Sequence, residues 1–148
     1  MQKPKKSLGQ NFLKDKNIGI KIADSLSIKN KNIVEVGPGY GFLTDIILEK
    51  KPKNIILIEK DDYLYRYLID KYKNNKIVSI YNNDILKFKF KFINNFNVVS
   101  NLPYNISSKV ILKLFKHYKQ IDEMVFMLQK EMAYKFDYNR IKINKYKF

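Results

Sequence analysis

Apolar positions along this chain follow two alternating rhythms. Short runs rich in β-branched and other apolar residues read as strands: Asn32-Ile33-Val34-Glu35-Val36, Ile55-Ile56-Leu57-Ile58, Lys76 to Tyr81, Asn97-Val98-Val99-Ser100 and Met124 to Leu128. Between them lie segments whose apolar residues recur three and four apart, the spacing of one helix face. Phe42 to Lys50 aligns Phe42, Leu43, Ile46 and Ile47, and Asp61 to Lys73 turns Leu64, Leu68 and Tyr72 inward. Ser107 to Tyr118 reads as a helix capped by Ser107, with Leu114 and Phe115 on its apolar side and His117 near its C-terminal end. Ahead of the first strand, Asp15 to Leu26 reads as a capped helix with Ile18, Ile22 and Leu26 in line.

The resulting order, β-α-β-α-β-β-α-β, predicts an α/β fold with a mostly parallel sheet and helices on its faces. The strands are continuous apolar runs, as expected for a sheet buried on both sides. No internal repeat or Gly/Ser linker interrupts the chain. The Asn- and Lys-rich stretches Lys29 to Lys31 and Lys87 to Asn95 are therefore loop candidates inside one domain, residues 1–148.

Charge changes this picture only in part. With 29 Lys+Arg against 14 Asp+Glu, the formal charge is +15, a field that attracts polyanions such as RNA, DNA or an anionic membrane. A coding bias toward Lys, Asn, Ile, Tyr and Phe produces the same excess, so charge alone does not choose a partner. There is no cysteine and only one histidine. That excludes disulfides, thiolate zinc sites and a cysteine nucleophile, argues against a histidine triad, and leads us to expect no metal. No apolar run approaches the roughly 20 residues of a membrane span, and no hydrophobic segment follows the basic Met1 to Lys6. The chain reads as soluble and cytoplasmic.

Ligands of open α/β sheets bind beyond the carboxyl ends of the strands. After the first strand come Gly37-Pro38-Gly39-Tyr40-Gly41, preceded by Glu35. Phe42 stands where the dinucleotide fingerprint would need its third glycine, so the pattern suits a cofactor without a pyrophosphate. Glu59 ends the second strand, at the offset where a carboxylate accepts ribose hydroxyls; by itself it is equally a solvated strand-end charge. Asn83-Asp84 follows the third strand, where Asp84 can accept an adenine amino group or simply shape a turn with Asn82 and Asn83. Together the three strand ends outline a site for S-adenosylmethionine rather than NAD, with Glu35 either positioning the loop or facing the methionine amine.

After the fourth strand come Asn101-Leu102-Pro103-Tyr104. The lone pair of an adenine N6 is delocalised into its ring. Acceptors on its protons, such as the Asn101 side-chain oxygen and the Leu102 carbonyl, favour a nucleophilic amine. Pro103 fixes the turn without adding a donor. Tyr104 offers a face for a flipped-out base, a contact worth about 1–3 kcal/mol. In isolation the same four residues are also an ordinary Asn-x-Pro loop with a packed tyrosine.

At these residues the sequence resembles the ribosomal RNA adenine N6,N6-dimethyltransferase family, the KsgA type, whose fold is a Rossmann-like class I S-adenosylmethionine-dependent methyltransferase. The resemblance runs from Ser7-Leu8-Gly9-Gln10-Asn11-Phe12-Leu13 through Glu35 to Gly41, Glu59, Asn83-Asp84 and Asn101 to Ser107, and includes Phe126-Met127-Leu128-Gln129-Lys130-Glu131. It implies that Asn11 and Leu13 touch the methionine end of the cofactor. Gly9 and Leu102 look more like the small-subunit branch than the large-subunit erythromycin-resistance branch. The implied activity is dimethylation of two adjacent adenines in small-subunit ribosomal RNA, with that RNA or a pre-ribosomal particle as partner. Asp137-Tyr138-Asn139-Arg140-Ile141 resembles the family's tyrosine-x-arginine segment. Family members continue with further strands and a helical domain, so the chain is expected to lack these. A non-catalytic RNA-binding assembly factor and a DNA adenine or glutamine amide methyltransferase are the competing expectations. Leu102 and Gln10-Asn11-Phe12-Leu13 argue against the latter.

Overall fold

The computed structural model describes residues 12–91, 93–102 and 105–136. Five strands, β1 (Asn32–Val36), β2 (Asn54–Glu59), β3 (Val78–Asn82), β4 (Phe96–Asn101) and β5 (Ile121–Met127), form one parallel sheet in the order β3-β2-β1-β4-β5. The register aligns Val36 with Ile58 and Glu59 with Asn82, so β1, β2 and β3 end together at one rim. Asn101, opposite Met127, closes β4 on the other side of β1. The order reverses between β1 and β4, and such a switch point opens a crevice at the carboxyl ends of the two strands.

The helices are α1 (Lys16–Asp24), α2 (Phe42–Glu49), α3 (Asp62–Tyr72), α4 (Ser107–Phe115) and α5 (Lys130–Phe136). Asp15 caps α1 by accepting from the amides of Asn17 and Ile18, and Asp61 caps α3 through those of Tyr63 and Leu64. Strand alternation divides the core into two halves. Ile33, Ile55, Leu57 and Val99 face Ile22 and Ala23 of α1, Leu43, Ile46 and Ile47 of α2, and Leu68 and Tyr72 of α3. Val34, Val36, Ile58 and Val98 face Val110, Ile111 and Leu114 of α4, together with Ile85, Phe88, Phe90 and Ile93 from the connection after β3. Gly19 lets α1 close on α2, because a Cβ there would stand 2.5 Å from Ile46 Cδ1.

Several expectations are corrected. Ile18 is 41% exposed and Phe115 52% exposed, so neither joins its helix's buried stripe. Gly19, Ile22 and Ala23 form the buried side of α1, and Leu26 is buried just beyond the helix. Ser107 does not cap α4. The cap position is Ile106, which makes no side-chain cap bond, and Ser107 is the first helical residue, buried. His117 lies beyond the helix end, in a turn where its Nδ1 meets Gln120 Oε1 at 3.0 Å. Lys76 and Ile77 belong to a turn nucleated by Asn75, and β3 starts at Val78. No strand-like or helical expectation covered α5.

Candidate active site

The loop leaving β1 is built on backbone conformation. Gly37, Gly39 and Gly41 all have positive φ (68°, 60° and 76°), which L side chains rarely adopt. The Gly37 amide bonds the Ile58 carbonyl, and the Gly41 amide bonds that of Pro38. The Gly39 amide donates to Glu59 Oε2 at 3.2 Å. The other oxygen of Glu59 accepts the Asp61 amide at 2.8 Å, so this carboxylate braces the loop against the start of α3. Burial pushes the Glu59 carboxyl up, while the amides of Asp61 and Gly39 oppose the shift.

Glu35 is 2% exposed and accepts from Thr44 Oγ1 at 2.6 Å. Burial, opposed by that hydroxyl, pushes its carboxyl up to about 8. Glu35 therefore holds the foot of the loop to the first turn of α2. At the end of β3, Asp84 accepts from Lys60 Nζ and the Leu86 amide, both at 2.9 Å. Burial works against ionisation, but the Lys60 ammonium and the Leu86 amide outweigh it and hold the carboxyl below its usual range. The turn reading of Asp84 is seen in the bond to the Leu86 amide. One oxygen shapes the turn and the other is held by an exposed lysine.

Across the switch point, Ser100 Oγ donates to the Val36 carbonyl, a bond between β4 and the residue just before the glycine loop. This places Asn101, the next residue of β4, beside that loop. Leu102 is buried, and its amide bonds the Met127 carbonyl, anchoring the chain as it leaves the sheet. Leu13 packs with Phe42 against the core half under α1 and α2. Phe12 covers Gly39, where a Cβ would meet its ring at 3.0 Å. Asn11, Pro103 and Tyr104 lie outside the described residues, as does the segment from Asp137 to Ile141.

The donor set fits an adenosyl cofactor. A Cβ at Gly37 would meet nothing within 4 Å, so space lies open beside the loop for a group to approach its backbone. Glu59 ends β2 and Asp84 follows β3 by two residues, so the two carboxylates stand at the same rim of the sheet.

Comparison with known proteins agrees with this geometry. A family model described as ribosomal RNA adenine dimethylase matches residues 1–141. The chain belongs to the ribosomal RNA adenine dimethylase family. Ribosomal RNA small subunit methyltransferase A of Mesomycoplasma hyopneumoniae (strain J) is 44% identical over 135 residues, covering 90% of this chain and 51% of that protein. Among solved structures, the 23S rRNA methyltransferase ErmE matches with a TM-score of 0.75 and 26% identity, over 84% of this chain and 50% of that one. A dimethyladenosine transferase from Plasmodium falciparum matches with a TM-score of 0.74 and 30% identity, over 84% and 46%. The fold is the Rossmann-like one of class I S-adenosylmethionine-dependent methyltransferases. The chain spans about half the length of the curated relatives it matches.

Within this dimethylase-family site, sequence reading missed the residues that join its parts. Ser100 and Thr44 carry no motif signal of their own. Ser100 reads as one more strand residue, and Thr44 becomes visible only as the position one turn into α2, facing Glu35. Lys113 and Gln120 were also passed over. Lys113 Nζ donates to the carbonyls of Leu86 and Phe88, and Gln120 Nε2 to those of Phe90 and Ile93, pinning the connection that carries Asp84.

Proposed function

We propose that this chain is the cofactor-binding and catalytic part of an S-adenosylmethionine-dependent enzyme that dimethylates N6 of adjacent adenines in small-subunit ribosomal RNA, in the cytoplasm, on the RNA or a pre-ribosomal particle. The observation that carries this reading is the Ser100–Val36 bond, which sets Asn101 of β4 beside the glycine loop after β1. The family match and the small-subunit relatives support the substrate class.

Bound S-adenosylmethionine supplies an electrophilic sulfonium methyl. The chain's own contribution is positioning and polarisation. Gly37, Gly39 and Gly41 would admit the methionine end close to the backbone, with Asn11, Leu13 and Glu35 around it. Glu59 keeps lone pairs beyond those given to Gly39 and Asp61, and these suit the ribose hydroxyls. Asp84 would accept the cofactor's adenine amine. At the target base, Asn101 Oδ1 and the Leu102 carbonyl accept the N6 protons and keep the nitrogen lone pair available. Pro103 adds no competing donor, and Tyr104 gives the base a stacking face. No strong general base is needed, in keeping with a site built from amide, carbonyl and carboxyl groups.

The test uses the full chain, labelled S-adenosylmethionine and small ribosomal subunits lacking the modification, followed by digestion of the RNA. Labelled N6-methylated adenosine is expected from the wild type. Asn101→Ala should lose transfer by at least about 100-fold while still binding S-adenosylhomocysteine. Transfer retained in that variant would remove Asn101 from its role. Cofactor binding without any label in the wild type would favour a non-catalytic assembly factor.

A further inference from the structure

The glycine loop has a second set of anchors, on its carbonyl side, supplied by the C-terminal turn of α3. Lys71 Nζ donates to the Tyr40 carbonyl at 2.9 Å and reaches that of Gly41 at 3.4 Å. The Tyr72 hydroxyl lies 3.0 Å from the Gly41 carbonyl and 2.7 Å from Asp45 Oδ1, sharing its single proton between two acceptors. Asp45, in the first turn of α2, also accepts Lys71 Nζ at 2.7 Å. The ring of contacts closes from α3 through the loop to α2 and back. We infer that Lys71 and Tyr72 are positioning residues for the cofactor site, holding the carbonyls of Tyr40 and Gly41 so that the loop's backbone is set before the ligand arrives.

Three observations support this assignment, which rests on reading the loop as the S-adenosylmethionine site. First, glycine-rich backbone loses more conformational entropy on ordering than any other, so a loop that a ligand must approach closely gains most from being ordered in advance. Second, Gly41 is shaped around the clamp. A Cβ there would stand 2.3 Å from the Tyr72 oxygen and 3.1 Å from Lys71 Nζ, so the glycine serves the contact as well as its φ of 76°. Third, the same helix holds the Tyr40 ring. Tyr67, one turn before Lys71, meets Tyr40 edge-on at 5.1 Å, and Phe12 meets it tilted at 5.0 Å. Burial and the bond to Asp45 hold the Tyr72 hydroxyl far above its usual range, so it stays a donor at every working pH. Neither residue belongs to the glycine motif, and adjacent helix positions do not share a face. Tyr72 reaches the loop from the buried side and Lys71 from the rim.

The test is calorimetric titration of the full chain with S-adenosylhomocysteine, beside amide exchange at residues 39–41. Tyr72→Phe removes only the hydroxyl and Lys71→Met only the ammonium. Each should weaken binding about tenfold and speed loop exchange. Val110→Ala, in the opposite core half, controls for lost stability and should leave affinity unchanged. Wild-type binding with both variants within twofold of it would overturn the assignment, as would an equal loss in Val110→Ala. Absence of binding by the wild type would instead overturn the cofactor reading, and this assignment with it.

Discussion

The connections leaving β1 and β3 both carry candidate cofactor residues, yet they are held by opposite means. The loop after β1, residues 37–41, is short and uses backbone conformation, with positive φ at three glycines and polar anchors on its amides and carbonyls. The connection after β3 is longer and glycine-free, and its path from 83 to 95 is set by what it buries. Phe88, Phe90 and Ile93 fill the core half beneath α4, and Phe90 stacks on Phe96 at 5.2 Å and meets His117 edge-on at 5.0 Å. Lys113 and Gln120 then satisfy its carbonyls, which no helix or strand pairs. A loop that presents its own backbone to a ligand must be fixed in dihedral angles. A loop that presents one carboxylate, Asp84, needs only a firm base.

That contrast predicts where each connection breaks. Phe90→Ala should have the largest effect, a loss of about 3–5 kcal/mol in denaturant unfolding. Amide exchange should accelerate across 84–96 well before it does at 37–41; uniform acceleration would mean that the two loops are one cooperative unit. Gly41→Ala should follow, at about 2–4 kcal/mol, from left-handed backbone strain plus the clash with Tyr72. Its disturbance should centre on the loop after β1. A cost under half a kcal/mol would show that the clamp yields freely. Gln120→Ala should cost about 1–2 kcal/mol by removing its bonds to the Phe90 and Ile93 carbonyls of the β3 connection, with exchange changes confined to that side.

The last effect is a slope rather than a step. Burial raises the Glu35 carboxyl from 4.5 to about 8. Below the lower value it is protonated in both the folded and unfolded chains. Between the two values the unfolded chain releases the proton while the folded chain keeps it, so stability falls as pH rises, and the fall ends once the folded carboxyl ionises. Glu35→Gln keeps a neutral partner for Thr44 and should flatten the wild-type decline between pH 5 and 8. An unchanged slope would show that Glu35 is ionised in the folded protein.

Much of the fold was legible in the order of residues. The mostly apolar run Ile33 to Val36 and the continuous run Ile55 to Ile58 suit strands buried on both faces, and their alternation with helices makes the sheet parallel. The glycines at 37, 39 and 41 announce a turn because only glycine takes those dihedrals without strain. The ends of α4 were less legible, since period alone does not say that Phe115 would stay exposed or that Ile106 would hold the cap position. Helix α5 was missed because its seven residues, Lys130–Phe136, show too little periodicity to separate from the motif preceding them.

Local chemistry in the sequence therefore determined the strands, the glycine loop and the candidate acceptors Glu59, Asp84 and Asn101, since each depends on residue type and near neighbours. Only the tertiary structure decided how these parts are joined. The bonds Ser100–Val36, Thr44–Glu35, Lys71–Tyr40 and Tyr72–Gly41 link residues far apart in the chain or on different elements. Their energy depends on strand order and helix placement, which bring the partners within reach and exclude the water that would otherwise compete for them.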